Sequence, residues 1–218
     1  HLRLIRASSF GCFKKGMDSS RENSCPPPQP ETCEDFEDMN LPDVLLRGVY
    51  QMGYEKPSAI QSRAIVPVLQ GHDVLGQAQS GTGKTATFSL GVLARLLNEV
   101  ENGSIKYPVA IILEPTRELV KQTTDVMSSL AIKSELTIIE ASGNVPMEKN
   151  CESIRSYNQA CAIVATPGRA VSILRKFSQL SNQIISVVLD EADELLDQRN
   201  HQRSFEDDLR EILRGCPR

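Results

Sequence analysis

Tryptophan is absent from this chain, and histidine occurs only three times in 218 residues. The six cysteines, at positions 12, 25, 33, 151, 161 and 216, include no C-x-x-C pair. Without that spacing, and with so few histidines, neither a zinc site nor a disulfide framework is indicated. The cysteines read as reduced cytosolic thiols. Long apolar runs are missing too. None approaches the roughly 18 residues of a membrane-spanning helix, so no membrane partner is expected. Nor is one sign of charge in large excess: Lys plus Arg number 24 against 28 Asp plus Glu, a net charge of −4. Such a balance gives no overall pull toward nucleic acid, so any RNA or DNA contact must come from a local basic cleft. What is present is a length and a 40% hydrophobic content suited to one good core. No internal repeat is visible.

Composition divides the chain. Residues 1–16 begin with His, carry Arg3, Arg6, Lys14 and Lys15 with no acidic residue, and are followed by Met17. Lacking an Arg-rich amphipathic pattern or a clear cleavage site, they read as an expression leader or translated upstream sequence rather than a transit peptide. Pro26, Pro27, Pro28 and Pro30 then sit among polar residues, the composition of a flexible linker. Residues 1–34 are therefore expected to be a flexible leader, dispensable for the fold, and 35–218 the folded domain. Apolar runs at 74–75, 109–113, 136–139, 162–164 and 184–189 do not alternate with polar residues, as in strands covered on both faces. Helical patterns lie between them, at 43–52, 58–69, 84–100, 116–129, 167–176 and 202–214. The alternation predicts an α/β fold, a mainly parallel sheet with helices on both faces.

Residues 78–85 read AQSGTGKT, after an apolar strand and before a helical pattern. A glycine-rich turn there can wrap a phosphate chain in backbone N–H groups. Lys84 can then reach the β- and γ-phosphates, and the Thr85 hydroxyl can ligate Mg²⁺. The general pattern G-x-x-x-x-G-K-S/T has glycine at its first place, where Ala78 stands here, while Gly81, Gly83, Lys84 and Thr85 are intact. Residues 187–197 read VVLDEADELLD, which brings Asp190 to the end of an apolar strand. By itself an acidic cluster is usually a solvated helix start. Paired with a phosphate loop it becomes a metal and water site. Asp190 would hold the Mg²⁺ shell, and Glu191 would orient and deprotonate an attacking water.

Five motifs in order carry a resemblance: GYEKPSAIQ (53–61), AQSGTGKT, PTRELV (115–120), TPGR (166–169) and DEAD (190–193). Together they resemble the first, N-terminal RecA-like P-loop domain of a DEAD-box RNA helicase, over about residues 36–218. An isolated Phe36 lies seventeen residues before Gly53, the family's spacing. Within the family the segment 36–65 is most similar to the translation initiation factor 4A subgroup and its relative in the exon-junction complex.

The resemblance implies ATP and Mg²⁺ as cofactors. It implies an adenine site at Phe36, Tyr54, Lys56 and Gln61, and a phosphate loop of Gln79, Ser80, Gly81, Thr82, Gly83, Lys84, Thr85 and Ala86. The Gln61 carboxamide suits adenine because it can accept from N6 and donate to N7. A sequence-nonspecific track for single-stranded RNA is implied at Pro115, Thr116, Arg117, Gly143, Thr166, Gly168 and Arg169, since hydroxyls, backbone N–H groups and Arg forks bind phosphate without reading bases. Asp193 is implied in coupling to a second domain. Ser142 stands where the family has the first of two glycines, which puts close backbone approach to RNA at that point in question. The family continues with a Ser-Ala-Thr strand beside the phosphate-loop strand, then a second domain that supplies arginine fingers. Neither is in this chain. An unpaired sheet edge and negligible turnover by the chain alone are therefore expected. The implied setting is cytoplasmic, with the nucleus as an alternative, and the implied partners include translation-initiation scaffold proteins. A truncated, non-catalytic RNA- or partner-binding module is the competing function.

Overall fold

The computed structural model describes residues 2–7, 32–79, 81–103, 105–157, 159–196 and 205–216. Its strands are β1 (Leu2–Ala7), β2 (Val74–Gln77), β3 (Val109–Leu113), β4 (Thr137–Ala141), β5 (Cys161–Ala165) and β6 (Ile184–Leu189). The helices are α1 (Asp43–Gln51), α2 (Gln61–Leu69), α3 (Lys84–Asn102), α4 (Arg117–Leu130), α5 (Met147–Ser156), α6 (Pro167–Lys176), α7 (Ala192–Leu196) and α8 (Phe205–Gly215). Strand order in the sheet is β2-β1-β6-β3-β5-β4. The four strands β6, β3, β5 and β4 are mutually parallel.

The non-alternating apolar runs are explained by two cores. Ala110, Ile112, Ala162, Val164 and Val188 face one core, which also holds Leu45, Ile65, Leu93 and Met127 of α1 to α4. Their neighbours Val109, Ile111, Leu113, Ile163 and Val187 face the other, with Ile154, Ile173 and Ile212 of α5, α6 and α8. Successive side chains of a strand point to opposite faces, so a sheet covered on both must be apolar at every position. Helix α5, MEKNCESIRS, was not expected. Only Asn150, Cys151 and Ile154 of it are buried, too thin an apolar face to stand out in the sequence.

The leader does not stay outside the fold. Leu2–Ala7 pairs antiparallel with β2, Leu4 opposite Leu75 and Ile5 opposite Val74. On its other side it pairs antiparallel with β6, Leu4 opposite Leu189 and Arg6 opposite Val187. Residues 2–7 are thus paired within the sheet rather than lying free of it, while residues 1 and 8–31 lie outside the described residues. The unpaired edge expected beside β2 is closed for the same reason: β1 supplies the ladder that β2 and β6 would otherwise lack. Two reversals of direction leave β2 running the same way as β6. The carboxyl ends of β2, β3, β4, β5 and β6 therefore share one edge of the sheet, where ligands of α/β sheets gather.

Candidate functional site

Two neighbouring depressions open at that edge. The first, of about 370 Å³, lies among the end of β6, the turn after β2 and one face of α4. Its glycine-rich turn is shaped by Gly83, at φ +84. A side chain is strained in that region, and a Cβ there would also lie 2.8 Å from Gln61 Nε2. The Thr82 hydroxyl donates to the Gln79 carbonyl at 2.8 Å, and the Lys84 ammonium crosses the turn to the Ala78 carbonyl at 2.8 Å. Lys84 and Ala86 are buried and Thr85 half-buried, so the start of α3 is held from within the protein. Ser80 lies outside the described residues.

Asp190 and Glu191 face this turn across the depression. The Asp190 side chain is buried, and its Oδ1 accepts the Glu191 backbone N–H at 2.8 Å. Glu191 has φ +47, a left-handed conformation for a residue with a side chain. That conformation costs about 1–2 kcal/mol. Its carbonyl accepts from the N–H of Glu194 at 2.8 Å and of Leu195 at 3.0 Å, so the strained residue also begins α7. Local strain held in place by hydrogen bonds on both sides is commonest at functional positions, and the sequence, which singled out Glu191, did not announce its left-handed backbone.

Of the residues expected near a base, Tyr54 lines the depression. Phe36 does not: its ring is fully buried among the core side chains of α1 to α4. Lys56 is exposed and away from the lining. Gln61 is 3% exposed and braces two segments. Its Oε1 accepts the Ser58 N–H at 2.7 Å, while the Ser58 hydroxyl donates to the Thr82 carbonyl at 3.0 Å. Residues not foreseen come from α4. Leu119, Gln122, Thr123 and Val126 line the depression at helical spacing, a stripe the 3.6-residue period could have exposed. The Thr123 hydroxyl donates to buried Glu114 Oε1 at 2.6 Å, tying α4 to the end of β3.

The second depression, about 380 Å³, brings together Arg117 at the start of α4, Gly143 from the loop after β4, and Thr166, Gly168 and Arg169 at the start of α6. Thr116 caps α4, its Oγ1 accepting from the Leu119 N–H at 3.3 Å, and Pro115 is buried beneath. Arg117 and Arg169 stand in the first turns of α4 and α6, where backbone N–H groups favour anions. A Cβ on Gly143 would lie 2.8 Å from the Arg117 guanidinium, so the missing side chain makes room for that arginine. Ser142 is fully buried, with its hydroxyl donating to Glu140 Oε1 at 3.2 Å, and does not face the depression. Asp193 is exposed on the first turn of α7, apart from both depressions.

Elsewhere, the cysteines at 33, 151, 161 and 216 are thiols, and burial pushes Cys161 up to about 12. Among the described residues there is no cluster of metal-ligating side chains of the three-residue kind, and no helix is long and apolar enough to cross a membrane.

Residues 58–218 match the family model described as DEAD/DEAH box helicase. The ATP-dependent RNA helicase eIF4A of Chaetomium globosum is 38% identical over 203 residues, covering 93% of this chain and 48% of that protein. Eukaryotic initiation factor 4A of Caenorhabditis elegans is 40% identical over 187 residues, covering 86% of this chain and 44% of its own length. Among solved structures, Dbp5 of S. cerevisiae bound to RNA and ADP BeF3 is similar with a TM-score of 0.63 and 33% identity, covering 85% of this chain and 44% of that one. The chain thus spans about half the length of the curated relatives it matches.

Proposed function

The chain belongs to the DEAD/DEAH box helicase family, and from that premise we propose that it is the nucleotide- and RNA-binding core of an ATP-dependent RNA helicase of the initiation factor 4A type. The observation that carries this reading is the single depression shared by Lys84, Thr85, Asp190 and Glu191. A hydroxyl and a carboxylate are hard oxygen donors, which suits Mg²⁺ held by Thr85 and Asp190. When bound, the ion would neutralise charge on the β- and γ-phosphate oxygens. Lys84 would turn from the Ala78 carbonyl to the phosphates. Glu191, its backbone fixed by Asp190, would orient the attacking water and take its proton.

Tyr54 offers the base a flat surface. Gln61 can brace Ser58 and still meet an adenine edge, because an amide oxygen carries two lone pairs and the nitrogen two N–H groups. The groove of Arg117, Thr166 and Arg169 would hold single-stranded RNA through its phosphates, without sequence preference. Among the described residues, Lys84 is the one cation lining the nucleotide depression. We place the completing arginine finger, worth roughly 10³–10⁵ in rate, and the contact of Asp193 in the portion of the relatives that this chain does not span. Translation-initiation scaffold proteins and a cytoplasmic setting follow from the same family reading.

Calorimetric titration of magnesium complexes of ATP, ADP and GTP into wild type, Gln61→Ala and Glu191→Gln tests the site. Wild type should prefer adenine nucleotides by about 1–3 kcal/mol, a preference that Gln61→Ala erases. Glu191→Gln should bind as wild type does, and in a chain extended to the relatives' full length its RNA-stimulated turnover should collapse. Equal affinity of wild type for ATP and GTP would overturn the adenine assignment.

A further inference from the structure

The two arginines of the second groove are held by neutral amides, and both amides come from one segment. Arg117 Nη1 donates to Asn144 Oδ1 at 3.3 Å. Arg169 Nη1 donates to Asn150 Oδ1 at 3.4 Å. Each asparagine is tethered in turn. The Asn144 N–H donates to Ser142 Oγ at 3.3 Å, and that hydroxyl reaches Glu140 Oε1. Asn150 is 2% exposed, and its Nδ2 donates to the Glu140 carbonyl at 2.7 Å. Both lines of hydrogen bonds end on Glu140, near the end of β4, the edge strand of the parallel half of the sheet.

We infer that Asn144 and Asn150 are positioning residues that aim Arg117 and Arg169 into the groove as one two-pronged phosphate receptor. The inference rests on the RNA reading of that groove. A guanidinium has five N–H donors, so one given to an asparagine leaves a fork for phosphate. The chemistry of the partner is the point. A carboxylate in either place would hold the arginine by charge as well as by hydrogen bond, and would compete with phosphate for it. An amide oxygen fixes the guanidinium and leaves its positive charge to the nucleic acid. Ser142 gains a role in the same scheme: its hydroxyl links Glu140 to Asn144, which a glycine at that place could not do.

The test measures binding of a uridine homopolymer by the full 218-residue chain across a salt series. Asn144 is exposed, so Asn144→Asp should fold as wild type does. It should weaken binding and make the log–log salt slope shallower by about 0.7, the value of one phosphate contact on a single strand. Asn144→Ala keeps the charge on Arg117 and should weaken binding with the slope unchanged, a split that a merely structural role would not produce. Asn150→Asp should act on Arg169 in the same way. Melting temperatures are taken alongside, and the Asn144 pair decides the matter if the buried site does not tolerate the change. Arg117→Ala and Arg169→Ala separate the two levels of the argument. If neither weakens binding, the RNA reading of the groove fails. If they do weaken it while Asn144→Asp keeps both wild-type affinity and slope, the positioning inference is overturned.

Discussion

Gly143→Ala isolates the part that empty space plays in the second groove. The added Cβ would lie 2.8 Å from Cζ, Nε and Nη2 of Arg117, closer than such atoms approach. Gly143 is not among the glycines of positive φ, so alanine carries no backbone penalty there. Restricting the unfolded chain should even stabilise the protein by about 0.4–1 kcal/mol. For a domain of this size that is a rise of roughly 1–4 °C in melting temperature. What must give way is the far end of Arg117, which then leaves Asn144 and its aim into the groove. One phosphate contact on single-stranded RNA contributes a salt slope of about 0.7, hence close to fivefold in affinity near 0.1 M salt. Fluorescence anisotropy with labelled single-stranded RNA, across a salt series, should show that loss and the shallower slope in a protein that melts no lower than wild type. A double-mutant cycle sharpens the result. On an Arg117→Ala background, Gly143→Ala should change RNA affinity by no more than the usual additivity error of about 0.3–0.5 kcal/mol. A full further loss on that background would refute the reasoning, because Gly143 would then act through its own backbone approach to RNA.

Two further outcomes test the fold. Deleting residues 1–16, or introducing Ile5→Pro into a strand paired on both sides, should lower the melting temperature by several degrees and weaken Mg·ATP binding, since β1 is the ladder between the phosphate-loop strand and the strand ending at Asp190; unchanged melting and affinity would mean that β1 does not hold the sheet. Cys161, whose thiol burial pushes up from an ordinary 9.0 to about 12, should resist alkylation at pH 8 until the protein unfolds. Between those two values the unfolded state has given up a proton that the folded state keeps, so stability should fall by about 1.4 kcal/mol per pH unit for that group as pH rises above 9. Cys161→Ala should flatten the onset of that fall; rapid alkylation of the native protein would show the site to be open.

Much of the molecule was legible because its signals are local. Strands β3, β5 and β6 are buried at every residue and, Ser186 apart, apolar throughout, as a sheet covered on both faces requires. The glycine-rich turn at 78–85 and the DEAD segment at 190–193 are contiguous runs, legible in full along the chain. Less visible were elements whose reason lies elsewhere in the chain. Helix α5 is polar in composition and is held largely through Asn150, Cys151 and Ile154. Residues 1–16 read as a leader because six residues of modest pattern cannot reveal that they pair with two strands far along the chain.

By itself, then, the sequence determined the fold class, the glycine-rich turn that carries Lys84 and Thr85, and the acidic pair that follows β6. Those depend on residue type and short spacing, which a linear chain carries in full. Tertiary structure decided the rest. It packed Phe36 fully into the core, set Glu191 in a left-handed conformation at the head of α7, and placed Leu2–Ala7 inside the sheet. It also brought Asn144 and Asn150 to the two arginines from one segment after β4. The physical reason is common to all four. Burial, strain, strand pairing and hydrogen-bond partnership are settled by groups far apart in the chain, and only packing the sheet between its helices fixes which of them meet.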